Sequence, residues 1–278
     1  MLPYPEIDPV ALALGPLKIH WYGLTYLAGL AFAWWLAVRR TWQPWSPVKR
    51  EQVDDIIFFA ALGVVLGGRF GYAIFYGGEQ LLADPSWLLR VWQGGMSFHG
   101  GFLGVLLAMF IFARRNGIGF GQIMDFVAPL VPVGLGLGRL GNFIGQELWG
   151  RASDVPWAMV FPRDPLQLAR HPSQLYQFAL EGMVLFAIML WFSRRERPPW
   201  AVAGVFSLGY GCMRFIAEFF REPDQHIGFQ ALGWMTRGQL LSLPMVALGI
   251  YLIVSAYRRQ AAVAAAVPQK RPKSKKKK

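Results

Sequence analysis

Apolar residues run along this chain in seven blocks, at about 20–38, 55–76, 97–113, 122–144, 173–193, 200–220 and 237–257. A helix needs about 20 mostly apolar residues to cross the hydrocarbon of a bilayer. The third block is short and begins inside the Gly-rich stretch from Gly94 to Gly101. Backbone N–H and C=O groups in lipid must pair within their own segment, so blocks of this length predict helices. The predicted fold is all-α: a polytopic membrane protein with seven transmembrane helices.

The polar connections give the expected orientation. Arg39, Arg40, Lys49 and Arg50 follow the first block, Arg114 and Arg115 the third, and Arg194, Arg195 and Arg197 the fifth. Arg258, Arg259 and a Lys-rich tail follow the seventh. Cytoplasmic loops carry the excess of Lys and Arg, which predicts the N-terminus outside and the C-terminus in the cytoplasm. The long connections, 77–96 and 145–172, fall on the outer side. Trp92, Trp149 and Trp157 in them suggest ordered structure at the membrane interface, with a small cap over about 145–172. The expected division is a membrane domain over 1–259 and a disordered basic cytoplasmic tail over 260–278. With Glu6 and Asp8 near its start, the N-terminal segment does not resemble a cleavable signal peptide.

Composition narrows the function classes. Hydrophobic residues make up 54% of the 278, and only 16% are charged, against roughly 25% in soluble domains. The net charge of +12 is concentrated in the short clusters and the tail. It reads as attraction to anionic lipid headgroups and not as nucleic-acid binding. Cys212 is the single cysteine, which excludes an intramolecular disulfide and a cysteine metal cluster; a structural thiol is its expected role. His20, His99, His171 and His226 lack metal-ligand spacing, so no metal and no cofactor is expected. Gly136–Gly141 matches G-x-G-x-x-G, but no strand precedes it and no βαβ unit surrounds it, so the dinucleotide reading fails. The glycines at 134, 136, 138, 141 and 145 fit close helix approach instead.

Polar residues inside the blocks are the functional candidates, because a charge in hydrocarbon costs at least about 2.5 kcal/mol. Tyr22, Tyr26, Arg69, His99, Arg139, Asn142, Arg214 and Glu218 come from five blocks, yet all are predicted near the outer leaflet. Glu181 lies a little deeper. Arg139 and Asn142 share a helix face. Tyr210, Arg214 and Glu218 form one stripe, and Gln174, Gln177 and Glu181 another. Each has a bland alternative: Arg69 snorkelling to headgroups, Arg214 with Glu218 as an intrahelical pair, His99 as a helix-end residue, Glu181 as a counterion for Arg139 or Arg214. A shared depth is what scattered structural residues would not produce.

Arginines gathered at that depth suit a phosphate, which guanidinium binds in bidentate fashion. The abundant source is a phospholipid headgroup, and a histidine of ordinary pKa can take a proton from a nucleophile. Residues alone thus suggest a phospholipid-using transferase facing outward. An anion or lipid transporter remains open, although it needs polar residues through the full membrane depth; so does a structural scaffold.

Several segments then resemble the bacterial prolipoprotein diacylglyceryl transferases. These are Val91 to Gly101 (VWQGGMSFHGG), Gly138 to Gly150 (GRLGNFIGQELWG), His20 to Leu24, Gly67 to Arg69, His171 to Tyr176, and Arg214 to Arg221. The resemblance spans residues 1–259. It implies transfer of the diacylglyceryl group of phosphatidylglycerol to the lipobox cysteine thiol of preprolipoprotein signal peptides. The products are a thioether and glycerol phosphate, made in the bacterial inner membrane on its periplasmic side. It also implies that Tyr22, His99, Arg139, Asn142, Glu147, Gly150, Arg214 and Glu218 are functional. The expected roles are phosphate binding by Arg139 and Arg214, with proton removal by His99. Glu147 and Glu218 are to orient the arginines or assist proton transfer. Tyr22 and Asn142 are to donate hydrogen bonds, and Gly150 is to allow a tight backbone approach. Tyr26 and Arg69 complete the expected substrate-binding set. Gln177 is assigned no catalytic role.

Overall fold

The computed structural model describes residues 2–223 and 229–266. The first two apolar blocks form α1 (Trp21–Arg40) and α2 (Val53–Phe75), with a short α3 (Gly78–Ala83) after them. The third block is α4 (Phe98–Arg115), started by Ser97, whose hydroxyl accepts from the Gly100 amide at 3.3 Å. The fourth is α5 (Phe120–Val127), a 3-10 turn at Ala128–Leu130 and α6 (Val131–Ile144). Pro129 and Pro132 lack the amide protons that a continuous α-helix would use there. The fifth is α7 (Ser173–Gln177), a π-helical stretch over Phe178–Val184 and α8 (Leu185–Ser193). Last come α9 (Ala201–Ala217) and α10 (Arg237–Ala266).

Six of these segments are long and apolar enough to cross a membrane, and α9 is a shorter apolar helix of 17 residues. The all-α polytopic architecture is as expected. The 200–220 block ends early because residues 218–220 turn out of the helix. Conversely, α10 continues through 260–266, where a disordered tail was expected. The Lys-rich remainder of that tail, and His226, lie outside the described residues.

Glycine lets the helices touch. Gly63, Gly67 and Gly71 on α2 face Gly100 and Gly104 on α4. A Cβ on Gly71 would sit 2.7 Å from the Gly100 Cα, and one on Gly63 2.7 Å from the Gly104 carbonyl oxygen. Gly29 of α1 approaches Gly134 of α6, while Gly136 meets Gly182 of the π-helical stretch. This is the close approach expected of the glycines in the fourth block. Gly71→Ala is expected to force α2 and α4 apart and cost about 1–3 kcal/mol, the usual range for overpacking. Thermal unfolding of the purified variant in detergent checks it.

At the end of the bundle carrying the basic clusters, the Asp125 carboxylate caps α9. It accepts from the Trp200 and Ala203 amides at 2.7 Å each. Buried Arg40 donates to the Ser193 hydroxyl at 2.8 Å and stacks on Phe126.

The opposite end carries the long connections. There, short hairpins pair β1 (Val10–Leu14) with β2 (Leu17–His20), β3 (Met159–Val160) with β4 (Ala169–Arg170), and β5 (Phe229–Ala231) with β6 (Met235–Thr236). Residues 145–172 form the expected cap, whose core joins Tyr4, Phe143, Met159 and Phe161. The Tyr4 hydroxyl donates to the Phe143 carbonyl at 2.8 Å, tying the N-terminal segment to α6.

Inside the cap, buried Asp164 accepts from Arg170 Nε at 2.6 Å and from the Leu166 and Leu168 amides at 3.1 Å. The Arg170 hydrogen bond holds the Asp164 carboxyl below the usual carboxylate range, against the opposing effect of burial. A carboxyl with a depressed folded pKa stabilises the fold above its unfolded value of about 4. That contribution is lost as pH falls through the lower folded value. Acidification below about pH 4 is therefore expected to loosen the cap before the bundle. Amide hydrogen exchange of 145–172, compared with the helices at acid and neutral pH, checks it.

Candidate active site

Near the cap end, α6, the π-helical stretch and α9 bring three ionised side chains together. Glu181, fully buried, lies in the π-helical stretch between two arginines. Its Oε2 is 3.4 Å from Arg139 Nη2 on α6, and its Oε1 is 3.4 Å from Arg214 Nη1 on α9. Arg214 also pairs through Nη2 with Glu218 Oε1, one helical turn on. Glu218 in turn accepts from Arg221 Nη1 at 3.2 Å and from the Thr236 hydroxyl at 2.7 Å. The Tyr210 hydroxyl faces Arg139, Arg214 and Glu181.

The carboxylates are the locked members of this group and the arginines the available ones. Glu181 is 0% exposed and Glu218 2%, whereas the Arg139 and Arg214 side chains keep 20% and 14% of their surface. Charge-assisted N–H···O bonds are usually about 2.7–2.9 Å, so the 3.4 Å contacts are loose. Arg139 has five N–H donors, and its partners are Glu181 and the Tyr210 hydroxyl. Donors remain for an anion. Single-turn π-helical insertions shift the register of the following residues and occur often at functional sites; this one seats Glu181 between two helices.

A second group stands beside the first. Glu147 follows α6 between two residues with left-handed backbone, Gln146 (φ 56°) and Leu148 (φ 59°). Such conformations persist only where the surroundings hold them. Here the Glu147 amide donates to the Asn142 carbonyl at 2.9 Å, Gln174 Nε2 donates to the Glu147 carbonyl at 2.7 Å, and the Ser173 hydroxyl donates to the Leu148 carbonyl at 2.9 Å. The fixed turn places the Glu147 carboxylate 3.5 Å from Asn142 Nδ2, with Tyr22 close to both Glu147 and Arg139. The Tyr22 and Tyr26 hydroxyls are 3.1 Å apart on an exposed face of α1. Tyr22 and Tyr26 pack on Gly141 and Gly138 of α6, so the glycines flanking Arg139 admit the tyrosines.

Two expectations change, those for Arg69 and Cys212. Arg69 does not offer its guanidinium to a substrate. It is 2% exposed and donates to the carbonyls of Leu88 (3.0 Å), Gly94 (2.5 Å), Gly95 (3.3 Å), Trp87 (2.6 Å) and Arg90 (3.2 Å), with Trp87 stacked on it. All its nitrogens are engaged in holding the loop that leads to α4. Arg69→Lys supplies three donors in place of five and is expected to speed amide exchange across residues 84–95.

Gly150 makes its close approach to its own chain. A Cβ there would run into the His171 carbonyl and lie 2.5 Å from the Phe220 carbonyl oxygen. That joins the cap to the segment after α9. His99, in the first turn of α4, is exposed and makes an edge contact with Phe98; no hydrogen bond links it to the arginine group among the described residues. Cys212 is exposed on α9, not buried as a structural thiol.

The residue underrated from sequence is Glu181. Its spacing with Gln177, and its placement in an otherwise apolar block, were the signals available. Among the described residues no group of His, Cys, Asp and Glu is arranged to hold a metal ion.

A family model described as prolipoprotein diacylglyceryl transferase matches residues 9–255. The phosphatidylglycerol–prolipoprotein diacylglyceryl transferase of Azotobacter vinelandii is 62% identical over 267 residues, covering 95% of this chain and all of the relative. The proteins of the same name from Ectopseudomonas mendocina and Pseudomonas entomophila are 61% and 59% identical, covering 94% and 96% of this chain and 98% and 100% of their own lengths. A match of this length runs through every helix that contributes to the arginine group, and the chain belongs to the prolipoprotein diacylglyceryl transferase family.

Proposed function

We propose that this chain transfers the diacylglyceryl group of phosphatidylglycerol to the cysteine thiol of a preprolipoprotein lipobox. The observation that carries this reading is Arg139 and Arg214, from different helices, set on the two oxygens of one buried carboxylate. Two guanidiniums held at that spacing suit a phosphodiester, and their partial exposure lets one arrive from the bilayer.

The thiol loses its proton, and the sulfur attacks the glyceryl carbon that bears the phosphate ester. A carbon–sulfur bond forms as the carbon–oxygen bond breaks. The electron pair leaves on the phosphate oxygen, so a diester with one negative charge becomes a monoester that carries more. Arg139 and Arg214 sit where that charge develops, which is how fixed cations accelerate such a step. Glu181 and Glu218 hold the guanidiniums in place. Asn142, Glu147 and Tyr22 flank the phosphate site and orient the substrate. The attacking cysteine belongs to the substrate, since exposed Cys212 has no place in the arginine group. His99 is the residue assigned to take the thiol proton; its position outside the arginine network fits a group that meets the peptide rather than the lipid phosphate.

The same reading puts the cap and the arginines on the periplasmic side of the bacterial inner membrane, with α9 as the seventh crossing. The basic connections after α1, α4 and α8 would then face the cytoplasm. A transporter is disfavoured because the acidic residue at the other end, Asp125, is engaged in capping α9. The test is to incubate purified protein with phosphatidylglycerol and a lipobox peptide. A thioether-linked diacylglyceryl peptide and glycerol phosphate are expected; lipid movement without that product would support a transporter. Replacing His99 by Gln is expected to slow the transfer by about 10²–10⁴-fold, the usual contribution of a general base; full activity would remove the assignment.

A further inference from the structure

Three glutamines are fully buried: Gln174 and Gln177 on α7, and Gln239 on α10. Gln174 and Gln239 are partly engaged, through the Glu147 carbonyl and the Thr236 amide. Gln177 is different. It is 0% exposed, and neither its Nε2 nor its Oε1 has a hydrogen-bond partner among the described residues; the Gln174 Oε1 likewise has none. A buried polar group left unpaired is destabilising, and an apolar side chain of the same shape would serve packing better. Such a group calls for a partner.

Position indicates what the partner is. Gln177 lies four residues before Glu181 in a continuous helical segment, about 6 Å along its axis toward the cap. That is the direction in which a headgroup would extend from a phosphate held by Arg139 and Arg214. We propose that Gln177, with Gln174 beside it, binds the free hydroxyls of the donor phospholipid's glycerol headgroup and so selects a neutral polyol. This rests on the transferase reading above. A primary amide offers both donors and an acceptor, and an alcohol is donor and acceptor at once. An ammonium headgroup offers donors only and brings a further positive charge toward two arginines.

The experiment is a competition with the purified full chain and a lipobox peptide. Phosphatidylglycerol and phosphatidylpropanol, whose headgroup lacks both hydroxyls, are supplied at equal concentration with identical acyl chains. The ratio of glycerol phosphate to propyl phosphate released is read. The unsubstituted protein is expected to favour phosphatidylglycerol by roughly 10- to 100-fold, since sites built to bond a hydroxyl reject analogues without it. Gln177→Leu and Gln177→Met are each expected to bring the ratio to within about twofold of unity. They should also leave thermal stability unchanged or raised, because they remove an unpaired buried amide.

An unaltered ratio in either active variant overturns the subsite. So does an unsubstituted protein that shows no preference, or a pair of variants that unfold or lose transfer from both lipids. Failure of the unsubstituted protein to release either phosphate would instead overturn the transferase reading itself.

Discussion

Arg139→Ala is expected to lower the rate of diacylglyceryl transfer by at least 10²–10³-fold, the loss typical of removing one group that stabilises developing charge. Arg139 has partial exposure and loose contacts, so its removal leaves little packing defect and the fold should survive. The variant's thermal unfolding in detergent is the necessary control. Arg139→Lys retains the charge but not the planar fork, and an ammonium cannot hold two phosphate oxygens in the same geometry. An intermediate loss, on the order of 10-fold, is expected for it. Near-normal transfer by a folded Arg139→Ala protein would contradict the phosphate assignment.

Glu181→Gln is the second large effect, and it differs in kind. Glu181 is fully buried and is the contact shared by both arginines. The substitution leaves two guanidiniums facing a neutral amide. Breaking a buried ion pair from one side costs about 3–5 kcal/mol, because the remaining charge is uncompensated. Both stability and transfer should therefore fall for Glu181→Gln, whereas Arg139→Ala, which leaves Glu181 its Arg214 partner, should lose transfer with a smaller fall in unfolding temperature. Equal unfolding temperatures for Glu181→Gln and the unsubstituted protein would show that Glu181 is not the keystone of this group.

The apolar helical blocks and the shared expected depth of the polar residues were legible from hydropathy and charge, because lipid leaves the backbone few choices; six of the seven expected crossings are long enough, and α9 is shorter. The convergence of Arg139 and Arg214 followed from that depth. Partners at right angles to the helix axes did not. Arg69 is expected in the substrate-binding set, with snorkelling to the headgroups as its alternative, since nothing local reveals that the loop at 87–95 folds back to surround it with carbonyls. For Glu181 both a functional role and that of a counterion for Arg139 or Arg214 stay open in the sequence, because a π-helical turn leaves no pattern in hydropathy. Glu147 was reached through family resemblance alone; its left-handed flanks, Gln146 and Leu148, are unusual residues for that backbone and gave no warning. The glycine contact between α2 and α4 was legible in principle, as Gly63, Gly67 and Gly71 recur every fourth residue.

Two guanidiniums closing on one phosphate is the claim on which the mechanism stands, and a double-mutant cycle on transfer rate tests it. Rates are measured for Arg139→Lys, Arg214→Lys and the double variant, with phosphatidylglycerol and a lipobox peptide. Groups that act as a unit are strongly non-additive. The double variant is expected to be scarcely slower than the slower single variant. Losses that multiply, with each lysine acting as though the other were absent, would mean that Arg139 and Arg214 serve separate sites.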